Sequence, residues 1–179
     1  MSATGSARRF EELALPHFSS AYNLARWLTR NDHDARDVVQ EAFTRAFRFF
    51  DGFRGDDCRP WLLAIVRREF YTWAAARRIE VALPDDDGAL LEERGSATAD
   101  RTAEDPQALL LRKDRREAVR RALEKLPVMY REIVVLREME DMNYRQIAET
   151  LDVPIGTVMS RLARARDRLY ELLRDEEVA

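Results

Sequence analysis

Apolar positions recur at three- and four-residue steps over most of the chain, and strand-like alternation is hard to find. From Arg8 to Arg30 the stripe Phe10, Leu13, Ala14, Phe18, Ala21, Leu24, Ala25 and Leu28 predicts an amphipathic helix, disturbed near Pro16. Met1 to Ser6, small and polar, are expected to be disordered. After a polar turn, Thr29 to Asp34, a second helix is expected over Ala35 to Phe50. It turns Val39, Phe43, Ala46 and Phe50 to a core and Asp37, Gln40, Glu41, Thr44, Arg45 and Arg48 outward. By residue type alone, that polar face reads as solvated. Asp51 to Arg59, with two glycines and three acids, reads as an exposed loop. Pro60 then suits the start of a helix running to about Arg78.

From Glu80 to Glu104 the periodicity fails, and Pro84, Asp85 to Asp87, Gly88 and Gly95 describe a linker with a brief turn at Leu90 and Leu91. Such a segment reaches about 80 Å when stretched, enough to let the two halves occupy distant sites. Asp105 and Pro106 supply an N-cap and first helical position for a helix carrying Leu109, Leu110, Val119, Ala122, Leu123 and Leu126. Leu126 and Pro127 break it, and a further helix is expected from Val128 to about Glu138.

Asn143 to Arg168 divides into two helical halves around a short break, the outline of a helix-turn-helix. Asn143 and Gln146 have capping-box spacing, and Ile147, Ala148 and Leu151 make one apolar stripe. Asp152 stands at the turn as one of the few residue types that tolerates a left-handed backbone. Pro154 fits the first turn of the second half, which Val158 and Leu162 anchor. Thr157, Met159, Ser160, Arg161 and Arg164 are left on faces that can meet DNA. An αα-hairpin in a plain helical bundle would give a similar pattern, but Arg161, Arg164, Arg166 and Arg168 face only Asp167 locally, and phosphate is a ready reason for that charge.

Composition sharpens this picture. Gly and Pro number six each, which suits an all-α chain. The net charge of −3 hides a division: residues 1–79 carry 13 basic and 10 acidic side chains, 80–104 carry 2 and 8, and 105–179 carry 15 and 15. The acid is concentrated in the linker, so the global balance says little about nucleic-acid binding. A single cysteine, Cys58, excludes an internal disulfide framework, and the isolated His17 and His33 do not make a metal site. With no apolar run of membrane-spanning length and no signal-peptide plan, a soluble cytoplasmic protein without membrane insertion is expected. No phosphate-cradling Gly-rich loop, H-E-x-x-H, G-x-S-x-G or buried carboxylate pair can be argued, so no catalytic residue, cofactor or enzymatic activity is expected. In the helix after Pro60, arginines interleave with aromatics: Arg67, Arg68, Tyr71, Arg77 and Arg78 among Trp61, Phe70 and Trp73. Such alternation can stack unpaired bases while neutralising phosphates, although at least two of Trp61, Phe70 and Trp73 are better read as core anchors.

Three segments together, D-A-R-D-V-V-Q-E-A-F-T-R-A-F at Asp34 to Phe47, R-P-W-L-L-A-I-V-R-R at Arg59 to Arg68, and Leu126 to Arg166, closely resemble bacterial extracytoplasmic function (ECF) sigma factors of the sigma-70 family. The resemblance implies two small helical domains joined by a flexible acidic linker. Residues 1–79 would correspond to sigma region 2, 80–104 to the linker, and 105–179 to sigma region 4. It implies a non-catalytic subunit that joins core RNA polymerase and directs it to promoters in response to stress or an envelope signal. Asp37, Gln40, Glu41 and Arg45 would dock on the clamp helices of the largest polymerase subunit, which reverses the solvated reading of that face, and the second domain would meet the flap region. Arg54, Asp56, Asp57, Arg59, Trp61, Arg67, Arg68 and Tyr71 would engage the minus-10 element as its strands part. Thr157, Met159, Ser160, Arg161 and Arg164 would read the minus-35 element from the major groove. The resemblance also implies an anti-sigma partner that covers the polymerase-binding faces. The alternative is a stand-alone helix-turn-helix regulator with a ligand- or partner-sensing N-terminal domain; a closed apolar pocket within residues 8–79 would favour it.

Overall fold

A computed structural model describes residues 3–81 and 106–178. Most of the expected linker, the Asp105 cap, Met1 and Ser2, and the side chains of Leu109 and Leu110 lie outside the described residues. Among the described residues the chain is helical and has no strand. The first half holds α1 (Ala3–Ala14), α2 (Phe18–Thr29), α3 (Asp32–Phe49) and α4 (Cys58–Ala76). The second holds α5 (Pro106–Lys125), α6 (Val128–Val134), α7 (Tyr144–Leu151) and α8 (Ile155–Val178).

Local chemistry fixes the breaks. Pro16 sits in a 3-10 turn, Leu15–His17, that divides the single long stripe into α1 and α2, as the expected disturbance required. α1 begins at Ala3, so Ala3 to Ser6 are helical and not, as expected, disordered. The turn expected over Thr29 to Asp34 is shorter than its composition suggested. Arg30 closes α2 in a left-handed conformation at φ 60, and Asn31 opens α3 by accepting the His33 and Asp34 amides at 2.8 and 3.1 Å. Asp32 and Asp34 then favour the positive end of the α3 dipole. α4 starts two residues before Pro60, because Asp57 caps it by accepting the Arg59 amide at 3.0 Å.

Alanines let the first half pack closely. Ala21 and Ala25 of α2, Ala35, Ala42 and Ala46 of α3, and Leu62, Leu63 and Val66 of α4 are fully buried. At one end an aromatic cluster joins Phe10 to Phe43, Phe47 and Phe50, and carries Phe53 and Trp61 against Phe50. Trp61, half-buried against this cluster, and Phe70, buried elsewhere in the core, serve mainly as core anchors, and full burial of a ring such as Phe70 stabilises the fold by about 1.5–3 kcal/mol.

In the second half α6 is central. Met129, Arg131, Glu132, Ile133 and Val134 are all buried, so nearly its whole circumference is covered. It does not continue regularly to Glu138 as expected. Val135–Met139 widens into a π-helical turn, followed by Asp141 at φ 49. The helix-turn-helix forms as its sequence dictates. Asn143 and Gln146 make a reciprocal capping box, at 2.9 Å from the Gln146 amide and 3.0 Å from the Asn143 amide. Asp152 takes the left-handed turn position at φ 55. α8 begins one residue after Pro154, whose carbonyl accepts the Thr157 and Val158 amides. Val158 and Leu162 are buried against Ile147 and Leu151 in one core.

Candidate nucleic-acid interface

The surface expected to meet the minus-35 element begins at the N-terminal end of α8, where burying Val158, Leu162 and Ala165 decides which residues turn outward. Met159 is 42% exposed, Thr157, Ser160, Arg161 and Arg164 are half-buried, and the Ser160 hydroxyl donates to the Thr157 carbonyl at 3.2 Å. The charge of Arg161 is felt by Glu132 on α6, so this arginine sits between the helix surface and the middle of the molecule.

α3 presents Asp37, Gln40 and Glu41 as one exposed face, with Thr44 and Arg48 beside them. His33 Nδ1 lies 3.4 Å from Asp37 on this face, an exposed pair of little energetic weight. Arg45 differs from its neighbours on α3: its guanidinium pairs with the buried Glu69 of α4 while half of the side chain stays exposed.

On the α4 surface, sequence reasoning foresaw the residues but not their partners. Of its expected strand-contacting residues, Arg54, Asp56 and Arg68 are exposed, and Arg54 also donates to the Asp51 carbonyl. Arg59, Arg67 and Tyr71 instead meet carboxylates from the second half. Arg67 donates to both oxygens of Glu132 at 2.9 and 3.3 Å, and the Tyr71 hydroxyl reaches the same carboxylate at 3.3 Å. Arg67 also lies over the Tyr71 ring, 4.8 Å from its centroid. Arg59 donates to the Glu140 carboxylate at 2.8 Å and to the Glu140 backbone carbonyl. Asn23 of α2 donates to the other oxygen of the same carboxylate.

Further contacts close the seam between the halves. Gln146 donates to Asp57 at 2.7 Å, and the Thr150 hydroxyl reaches the Pro60 carbonyl at 3.4 Å. Arg131, 3% exposed, donates to the Trp27 carbonyl at 3.0 Å and to the Leu126 carbonyl at 2.9 Å. Burial and the nearby Arg30 pull its pKa down to about 10, which still leaves it charged at neutral pH.

Burial holds the Glu132 carboxyl above the usual carboxylate range, against the pull of Arg67 and Tyr71. Burial, with the Glu132 charge beside it, also pushes the Tyr71 phenol up. Burial works the same way on Glu140, but hydrogen bonds from Asn23, Ser20 and Arg59 outweigh it and hold that carboxyl below the usual range. The sequence carried one signal for these residues. Arg131 and Glu132 interrupt an otherwise apolar stretch, Val128 to Leu136, at positions that a central helix must bury.

Two helical bodies, the second carrying a capped helix-turn-helix and the first a basic, aromatic-rich helix, define an all-α DNA-binding protein. Residues 13–79 match Sigma-70 region 2, and residues 116–169 match Sigma-70, region 4. The chain is 36% identical to the ECF RNA polymerase sigma-E factor of Escherichia coli (strain K12) over 137 residues, 76% of this chain and 72% of that protein. It is 36% identical to the ECF RNA polymerase sigma factor SigE of Mycolicibacterium smegmatis over 169 residues, 92% of this chain and 61% of that protein. Among solved structures it resembles the sigma factor RpoE bound to the anti-sigma factor NepR from Bartonella quintana, with TM-score 0.67, 30% identity and coverage of 93% of this chain and 98% of that one. It also resembles CnrH in complex with the cytosolic domain of CnrY, with TM-score 0.64, 26% identity and coverage of 97% and 92%. The chain belongs to the ECF sigma factors of the sigma-70 family, the subunits that direct RNA polymerase to promoters. No described helix is long and apolar enough to cross a membrane.

Proposed function

We propose that this sigma factor divides its work between its two helical domains and contributes binding rather than chemistry. Residues 1–79 bind core polymerase and engage the minus-10 element, 80–104 tether the halves, and 105–179 read the minus-35 element. Asp37, Gln40, Glu41 and Arg45 meet the clamp helices of the largest polymerase subunit, while the second domain meets the flap region. Arg54, Asp56, Asp57, Arg59, Trp61, Arg67, Arg68 and Tyr71 serve the minus-10 strand. Thr157, Met159, Ser160, Arg161 and Arg164 face the minus-35 duplex, where a bidentate arginine–guanine pair discriminates by about 1–3 kcal/mol. An anti-sigma protein is the natural antagonist, by analogy with the RpoE–NepR complex that the fold resembles, and its release would answer a stress or envelope signal.

The observation that carries this reading is the capping-box helix-turn-helix joined in one chain to a helical domain matching region 2. The test is transcription with purified core polymerase on genomic fragments, with start sites mapped. Starts that share two spaced elements are expected. Specific, polymerase-free repression from a palindromic site, with no new start, would replace this reading with a stand-alone regulator.

A further inference from the structure

Three of the eight side chains assigned above to the minus-10 strand already hold anions. Arg67 and Tyr71 are joined to Glu132, and Arg59 is joined to Glu140, both carboxylates coming from the second domain. We propose that these two carboxylates stand in for the phosphates of the minus-10 strand, so that the free chain shuts its own strand-binding helix beneath its second domain and opens it only on assembly with polymerase. This rests on the reading of α4 as the strand-binding helix.

The geometry is that of a competitor. A carboxylate offers a guanidinium the same planar pair of acceptor oxygens that a phosphate does, and Glu132 uses both on Arg67. The pair is sunk into the seam, with the Glu132 side chain 1% exposed and the Arg67 side chain 26% exposed. A buried ion pair of this kind adds little net stability compared with apolar packing. It does make Arg67 unavailable to any other anion. The second carboxylate is aimed by backbone irregularity: the π-helical turn ends with the Glu140 amide on the Val135 carbonyl at 3.0 Å, and the left-handed Asp141 turns the chain away directly afterwards. That presents Glu140 to Arg59 and Asn23 from the far end of the same seam. The α3 face, with Asp37, Gln40 and Glu41, remains exposed throughout. Polymerase can therefore seize the closed chain by α3 before α4 is released.

The experiment uses the full chain and the double variant Glu132→Gln with Glu140→Gln, which keeps side-chain size and hydrogen bonding but removes both charges. Spin labels at the exposed positions Glu11→Cys and Glu171→Cys report the distance between the domains. Cys58 stays in place, since it is 2% exposed and its thiol is pushed up to about 11. A fluorescent single strand of roughly 12 nucleotides measures access to α4. When the binding-competent state is a minor species, freeing it tightens apparent affinity by the inverse of its population. The double variant should therefore bind the strand at least about tenfold more tightly, with a longer and broader distance distribution. An unchanged distance distribution, or an opened chain that binds the strand no better, overturns the proposal.

Start-site mapping with core polymerase separates this result from the parent reading. A variant that initiates normally but never opened leaves the sigma assignment standing and removes the latch. A chain that opens but directs no initiation removes the assignment instead. Circular dichroism guards against misfolding, and Glu140→Gln alone, which leaves the deeper Glu132 pair in place, should give an intermediate gain; no gain from the single variant together with a misfolded double variant also overturns the latch.

Discussion

α3 and α4 are neighbouring helices of nearly equal length, yet they treat their polar faces in opposite ways. α3 leaves Asp37, Gln40 and Glu41 in solvent, whereas α4 sends Arg59, Arg67 and Tyr71 into contacts with the second domain. The difference lies in chemistry as much as position. Short acidic and amide side chains on α3 lose little by staying hydrated, while guanidinium groups beside aromatic rings on α4 can be bridged bidentately and partly desolvated. One polar face thus stays open to solvent while the other is engaged within the chain.

The largest effect expected from perturbing that contrast comes from reversing charge on the open face. Asp37→Arg with Glu41→Arg should weaken core polymerase binding by about tenfold to a hundredfold, since like-charge juxtaposition costs several kcal/mol. Anisotropy with labelled core measures this, and thermal stability of the free chain should move by no more than about 0.5 kcal/mol because both side chains are exposed. Arg164→Ala on α8 should lower minus-35 dependence about tenfold in transcription assays while leaving assembly with core intact, within the range of one good base contact. Equal loss of both would erase the proposed division between domains.

A smaller effect is expected at the helix-turn-helix start. Asn143→Ala breaks the capping box and should destabilise the second domain by about 1 kcal/mol in urea titration, with little change in core binding. The smallest concerns Cys58 at the root of α4, whose thiol burial pushes up to about 11. As pH rises from the ordinary thiol range towards that value, the unfolded chain gives up its proton first, so stability should fall across this window. Spectrophotometric thiolate titration checks the sign, and ionisation near the ordinary thiol pKa would place Cys58 in a wetter site.

Much of the fold was legible because local chemistry left few choices. Pro16, the Leu126–Pro127 break, the Asn143 box and the left-handed Asp152 are each set by residues within one turn of themselves. Asn31 and Asp57 carried the same kind of signal, and the start positions expected at Ala35 and Pro60 missed it by following the apolar stripe instead of the caps. The π-helical turn after α6 had no such signature, since Val135 to Met139 reads as an ordinary helical segment. At the interface, sequence placed arginines and aromatics on α4 and stopped there. That Glu132 and Glu140 would lie across from them depends on how residues 65 and 81 positions apart in the chain come together, which no periodicity encodes.

Arg131 holds the two halves together differently from the carboxylate pairs, because across the seam it grips a peptide oxygen, that of Trp27, near the C-terminal end of α2. Helix-end carbonyls are readily taken over by water. Parting the halves at this point therefore strands no opposite charge, and the guanidinium simply trades one neutral oxygen for another. The Arg131 contact therefore adds a polar link across the seam without adding another buried ion pair to it.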